Sequence, residues 1–308
     1  MVVLVRSYRA KDAAAVVTFF YECSVADSTV SPIAAKDWLR FVTSEINRNG
    51  QDFLVATHGS RVIGLATSSA RVEAQEITRH FRIIVLPDSR CGCVGGSLLM
   101  RLKELDPQYS YAAYQTICPS KWKAALRFYT QRGFLEYEQE LQFERSVVPH
   151  TSSASASSHI ELADRPSNFG EVVAEIHNLA FAGDASFVRW TGPAMSELLL
   201  QAAALWTAQI SEQIIGYCHV EEGGGFDWIE SVAVHPAFRR RGIGTALCTA
   251  VIRNSFASGK KIRLQVSNQN VAAVALYKEL GFLPLSASIR LRATQDEIRA
   301  ATRFKESK

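Results

Sequence analysis

The chain has 308 residues, of which 47% are hydrophobic and 21% charged, and its formal net charge is +4. That is enough chain for two buried cores. The charge is too mild for the dense basic face of a general nucleic-acid binder, and no apolar run reaches the ~18 residues of a membrane span, so neither partner is expected.

The opening segment, MVVLVRSYRAKDAAAVV, carries Arg6, Arg9, Lys11 and Asp12 where a secretory leader is apolar. Cys23, Cys91, Cys93, Cys118, Cys218 and Cys248 show neither a disulfide framework nor a paired zinc knuckle. A reduced, cytoplasmic protein without a metal is expected.

A short strand is expected at 3–6, then a helix after Asp12, whose carboxylate can cap it. Residues 53–57 and 61–68 read as a hairpin around THGSR. Strand 82–86, helix 95–105, strand 112–117, helix 122–132 and strand 135–145 follow. VVPHTSSASASSH (147–159) has neither apolar period and reads as a linker. Beyond it come strand 159–162, helices 168–181 and 194–204, and a hairpin over 206–220. Strand 228–234, helix 243–256, strand 261–266, helix 271–280 and strand 283–292 complete the pattern. Thr294 followed by Glu297 is a capping box that opens a short C-terminal helix. The class is mixed α/β, repeated twice.

The halves also align residue by residue. LPDSRCGCVGGSLL (86–99) matches HPAFRRRGIGTALC (235–248), and WKAALRFYTQRGF (122–134) matches NVAAVALYKELGF (270–282), an offset of about 149 residues. RVIGLAT (61–67) matches QIIGYCH (213–219) at a slightly different offset. Each copy is domain-sized, so the chain is a duplicated domain and not a solenoid. The expected domains are 1–150 and 151–308, joined at the linker.

The segment SVAVHPAFRRRGIGTALCTAVIRN (231–254) raises the chemical question. His235 and Pro236 stop a strand. Gly242 and Gly244 allow a tight turn, and Ile243, Leu247 and Val251 then recur on one helical face. A strand, a glycine turn and a helix N-terminus make an anion site. Arg239, Arg240 and Arg241 place cations where a phosphate would sit. The spacing fits neither G-x-G-x-x-G nor the P-loop. An arginine-rich surface loop is the bland alternative.

R-x-x-G-x-G after a strand ending in V-x-P resembles the acetyl-CoA diphosphate motif of the GCN5-related N-acetyltransferase superfamily. Here it is Arg239, Gly242 and Gly244. The family's N-x-x-A-x-x-L-Y-x-x-x-G-F follows as Asn270, Ala273, Leu276, Tyr277, Gly281 and Phe282. The resemblance covers 3–146 loosely and 159–292 closely, and the tandem layout resembles that of the mycothiol synthase type of acetyltransferase. It implies two acyl-CoA N-acyltransferase (GNAT-type) domains, the second catalytic, with acetyl-CoA as donor.

It further implies that strand 230–234 and its neighbour 263–266 splay apart. The pantetheine arm would lie between them, on the backbone of Val232, Ala233 and Val234. Arg239, Arg240, Arg241, Gly242, Ile243, Gly244 and Thr245 would hold the diphosphate. Asn270 would bond the pantetheine arm or fix the exit of the second strand, beside Ala273. Tyr277 would protonate the departing thiolate, unless it is a core aromatic of its helix.

An attacking amine must arrive neutral, so a base is needed. Glu230 is the candidate. Strand alternation puts it with Val232 and Val234, and burial in a cleft would raise its pKa. A wet strand end is the alternative for Glu230, and His219 and Asp227 are rivals for the role.

In the first copy Cys93, Trp122 and Phe81 stand where the second has Gly242, Asn270 and Glu230. That copy is therefore expected not to catalyse. The acceptor site is expected from 181–204, with Asp184, Phe187, Arg189 and Trp190, and from loops 221–227 and 283–288. A small-molecule amine is favoured. A protein or peptide amine, a longer acyl donor, a non-catalytic acyl-CoA-binding protein and a scaffold remain open.

Overall fold

The computed structural model describes residues 3–26, 30–73, 76–90, 92–105, 112–146, 161–164, 169–183, 187 and 189–298. The expected linker 147–159, Cys91 and Asp184 lie outside the described residues. The chain forms two compact units, Met1–Tyr137 with Ile289–Lys308, and Glu138–Ser288. No helix among the described residues is long and apolar enough to cross a membrane.

The first unit contains β1 (Leu4–Ser7), α1 (Ala13–Ala26), α2 (Ala35–Thr43), β2 (Leu54–His58), β3 (Arg61–Glu73) and β4 (Glu76–Val85). It continues with α3 (Val94–Leu102), β5 (Ala113–Pro119) and α4 (Lys123–Thr130). Its strands lie in the order β1-β2-β3-β4-β5. Of these pairs only β4–β5 is parallel, and its two strands are joined by a crossover through α3. Gly59, at φ +60°, turns the expected hairpin. Helix α2 was not expected. It is short, but Trp38 and Val42, four residues apart, are both buried by it. Asp12 sits inside a 3-10 turn, accepts from the Arg9 N–H at 2.8 Å and pairs with Arg6 at 2.7 Å. It therefore acts one turn ahead of α1 rather than as its cap.

The C-terminal capping box forms as expected. Thr294 N–H donates to Glu297 Oε2 at 2.6 Å, and Glu297 N–H to Thr294 Oγ1 at 3.3 Å. Gly133 explains why a glycine ends the first copy's motif: a Cβ there would lie 2.5 Å from the Glu297 carbonyl oxygen.

The second half contains β6 (Leu135–Arg145), β7 (Glu161–Asp164), α5 (Phe169–Phe181), α6 (Gly192–Leu200), β8 (Ala204–Ile210), β9 (Gln213–Gly223) and β10 (Phe226–Val234). Then come α7 (Ile243–Ala257), β11 (Lys261–Ser267), α8 (Val271–Glu279) and β12 (Leu283–Ala293). Strand order in the second unit is β6-β11-β10-β9-β8-β7. Again one pair, β10–β11, is parallel. One core cluster joins the sheet to α7 and α8, around Leu247, Val251, Leu264 and Phe282. A second joins it to α5 and α6, around Val173, Leu199 and Tyr217.

The cut expected at residue 150 differs from this division. Residues 138–145 belong to the second unit, where β6 runs antiparallel to β11 from Ile262↔Arg145 to Ser267↔Glu140. The reason is an edge that needs covering: β11 pairs β10 on one side and requires a strand on the other. Arg145 anchors the arrangement. It is buried, and its Nε–H donates to the Leu280 carbonyl at 2.7 Å, at the end of α8. Apolar alternation marks β6 as a strand but cannot name its partner. A fragment of residues 151–308 therefore leaves β11 uncovered. It is expected to fail to give a cooperative unfolding transition in urea, where the full chain gives one.

Candidate functional site

The site begins where two strands part. The parallel pairing of β10 and β11 runs from Phe226↔Lys261 only to Ile229↔Leu264. Beyond that rung β10 stays on β9, through Ser231↔His219 and Val234↔Gly216, while β11 stays on β6 as far as Ser267. The backbone edge of Val232, Ala233 and Val234 that faces away from β9 therefore lines a notch.

A bulge stands at the apex. The β9–β10 register shifts between Ile229 and Ser231, so Glu230 is the extra residue. Ile229, Val232 and Val234 all pack on the α7–α8 cluster, whereas Ala233 belongs to the α5–α6 cluster. The extra residue reverses the alternation. Glu230 does not share a face with Val232 and Val234, as expected from an unbroken strand; it lies with Ser231 on the α5–α6 side. It is also exposed, so the burial expected of it is missing.

At the wide end, β10 leads into a 3-10 turn, Pro236–Phe238, whose first N–H groups are met by His235 Nδ1 accepting from Ala237 at 3.2 Å. Arg239, Arg240 and Arg241 are exposed. Arg239 donates to the Val234 and Ala180 carbonyls at 3.3 and 3.4 Å. Arg241 lies over the Phe238 ring, 5.2 Å from its centre. Gly242 is the N-cap of α7 at φ +77°, the left-handed region. No atom lies within 4 Å of where its Cβ would be, so glycine is required there by conformation and not by crowding.

The first bond of α7 runs from Ala246 N–H to the Gly242 carbonyl at 2.9 Å. The amides of Ile243, Gly244 and Thr245 therefore precede the helical ladder, at the positive end of a 15-residue helix. Ile243 buries its side chain in the core and offers the site only its N–H. A Cβ on Gly244 would meet Leu276 Cδ2 at 3.5 Å. Free amides, a helix dipole and three guanidinium groups together favour an anion.

Asn270 serves its own helix: its Oδ1 accepts from the Ala273 N–H at 3.1 Å and caps α8. Of the two roles expected for it, the structure shows the local one, at the exit of β11. Ala273 packs on the α7–α8 cluster. Tyr277 is 7% exposed, with its ring edge-on to Phe282 at 5.7 Å. Burial, with Cys248 and Cys218 close by, pushes its hydroxyl well above the ordinary tyrosine pKa, so it stays a proton donor.

The other face of the sheet holds residues that the sequence did not single out. Tyr217 is buried, and its hydroxyl lies 2.7 Å from His177 Nδ1 on α5. The Ser231 side chain lies beside the same phenol, on the same face of the sheet. These three come from a helix and two strands, so no local spacing could reveal them. His219 is buried with Nε2 3.0 Å from Glu221 Oε1, and burial lowers its pKa against the pull of that carboxylate. Asp227 accepts from Ser255 Oγ at 2.6 Å and pairs with Lys260 at 3.2 Å, a structural use that occupies it. Asn178 holds Trp190 by two reciprocal bonds of 2.8 and 2.9 Å, which fixes the chain ahead of α6. Among the described residues, no three His, Cys, Asp or Glu side chains gather as a metal set would.

The matching place in the first unit is closed. There β4 and β5 also share four pairs, the last being Phe81↔Thr116, but the β3–β4 register has no bulge. Phe81 is buried edge-on against Tyr129 and Phe134, at 6.1 and 5.8 Å. The Tyr129 hydroxyl lies against Thr116 on β5 and the Ile83 backbone on β4. Cys93, at φ −79°, lacks the left-handed hinge.

The hinge at Gly242 yields a direct prediction. Gly242→Ala forces a Cβ into the left-handed region and is expected to cost about 1 kcal/mol, read as a lower midpoint in urea unfolding with an unchanged slope.

Comparison with known proteins agrees with this geometry. The model of the acetyltransferase (GNAT) family matches residues 173–282. An uncharacterised protein of Mycobacterium leprae is 29% identical over 114 residues, 35% of this chain and 30% of that protein. An N-alpha-acetyltransferase of Sulfurisphaera tokodaii is 31% identical over 94 residues, 26% of this chain and 56% of that protein. The chain thus matches about a third and about half of the lengths of these relatives. In fold, the chain resembles a GCN5-related N-acetyltransferase from Sphaerobacter thermophilus (TM-score 0.74, 19% identity, 94% of this chain and 95% of that one). It also resembles a tandem GNAT protein from the clavulanic acid biosynthesis pathway (TM-score 0.71, 15% identity, 95% and 98%). Residues 173–282, the stretch that the acetyltransferase (GNAT) family model matches, hold the notch, the arginine loop and the helices beneath them.

Proposed function

We propose that the second unit is an N-acetyltransferase that moves an acetyl group from acetyl-CoA to a primary amine by direct attack. The observation that carries this reading is the notch between β10 and β11, opening onto a left-handed glycine and the amides of α7. The backbone of Val232, Ala233 and Val234 takes the pantetheine arm as an added strand would. Arg239, Arg240 and Arg241, with the Gly242–Thr245 amides, hold the diphosphate. The thioester then reaches the apex, at Glu230 and Ser231. Acetyl-CoA supplies the activated acyl group.

The amine enters from the α5–α6 side. The exposed Glu230 carboxylate draws in its ammonium and can take a proton through water. Tyr277, kept protonated by burial, donates to the departing thiolate. The closed first unit neither binds the donor nor catalyses. A small-molecule amine is the favoured acceptor. A peptide amine is the second reading, favoured by the name of the Sulfurisphaera tokodaii relative.

Calorimetric titration with acetyl-CoA is expected to show one site per chain. Gly244→Trp fills the space before Leu276 and is expected to abolish binding. Two sites would overturn the closed first unit, and no site would overturn the function. Tyr277→Phe should keep affinity within about twofold and lower turnover about a hundredfold. Unchanged turnover would leave Tyr277 a packing residue.

A further inference from the structure

The proposed chemistry needs somewhere for the amine's proton to go, and Glu230, exposed at the bulge, is not desolvated. Three side chains beside it form a path into the α5–α6 layer. Ser231, half-buried, is next to Glu230 in the chain and on its face of the sheet. Its side chain lies beside Tyr217, a diagonal neighbour across the β9–β10 pair, where Ser231 faces His219 and Ala233 faces Tyr217. The Tyr217 hydroxyl lies 2.7 Å from His177 Nδ1. A relay here requires Ser231 to donate to the phenol oxygen and the phenol to donate to Nδ1. Tyr217 itself is only 1% exposed, which keeps the middle of the path dry. His177 sits half-buried on α5, flanked by Phe181 at 4.7 Å and Phe187 at 6.3 Å. Histidine alone among ordinary side chains titrates near neutrality.

We infer that Ser231, Tyr217 and His177 form a proton relay that deprotonates the acceptor, with His177 as terminal base and Glu230 as the anchor for the ammonium. The inference rests on the proposed acetyl transfer. The ammonium gives a proton to Ser231 Oγ as Ser231 gives its own to Tyr217 and Tyr217 gives its own to His177 Nδ1. The freed lone pair forms the C–N bond, and the C–S bond breaks. The thiolate takes the Tyr277 proton, and the nitrogen's second proton restores Tyr277 through solvent. His177 returns its proton to solvent, so one proton is released per turnover. The charged groups around the relay are Glu230 on β10, His219 and Glu221 on β9, and Arg239, which reaches the Ala180 carbonyl on α5.

The test uses the full chain with acetyl-CoA and three probe amines: 2-phenylethylamine, glucosamine and a lysine-containing tetrapeptide. Free thiol is followed across pH, and acetyl-CoA binding is measured for every variant. Tyr217→Phe keeps the ring and His177→Gln keeps an acceptor that cannot take a proton. Both are expected to bind acetyl-CoA within about twofold of wild type. Each should lower kcat on the best probe at least about tenfold near neutrality, with KM unchanged and the deficit shrinking as the amine deprotonates on its own at high pH. Glu230→Gln should instead raise KM for the amine.

Equal loss at every pH would overturn the relay in favour of packing. So would full activity in His177→Gln, or a kcat loss confined to Glu230→Gln. A wild type that binds acetyl-CoA but releases no thiol with any probe would overturn it as well. Failure of the wild type to bind acetyl-CoA would overturn the proposed function itself, and is seen before any amine is added.

Discussion

The site depends on one missing rung. Parallel strands β10 and β11 share four residue pairs and then separate, each retained by the strand on its outer side. Neither could part from the other without those outer partners, since an unpaired strand in water or core loses its backbone bonds. β9 and β6 therefore hold the notch open. The bulge at Glu230 is part of the same device. It turns Glu230 and Ser231 toward α5 and α6 while Val232 and Val234 keep their hold on α7 and α8. One extra residue thus puts polar groups on one face of the sheet and preserves the apolar seal on the other.

The two halves show how little separates an open notch from a closed one. The first unit has the same strand order, a matching helix after β4 and a tyrosine in the matching helix. It differs by an unbroken register and by Phe81 in place of a carboxylate. Those changes bury three aromatic rings against each other. Aromatic packing is worth more to stability than an exposed carboxylate at a bulge.

Most of the architecture was legible in the sequence because its signals are local. The hairpin glycine, the R-x-x-G-x-G turn, the α7 stripe and the Thr294–Glu297 box each act within a few residues, and each is where expected. What was not legible was decided at a distance. The face taken by Glu230 depends on a bulge that no apolar pattern marks. Asn270 reads as a ligand contact or a strand-exit residue until its cap on α8 is seen. The pairing of Tyr217 with His177 requires β9 and α5 to be placed first. The partner of β6 could not be read from β6 at all.

That partner has a bearing on how the protein is made. Residues 138–145 leave the ribosome with the first copy but belong to the second unit, and residues from Ile289 onward are made after the second unit but belong to the first. The first unit is not whole until the residues from Ile289 onward have been made. During synthesis the first copy waits with an open sheet edge, the kind of surface that chaperones cover and that aggregates when left bare. The two copies cannot fold one after the other as beads on a string, and a gene split between them would encode two unfinished proteins. An exchange of this kind makes each copy depend on chain that lies beyond its own repeat.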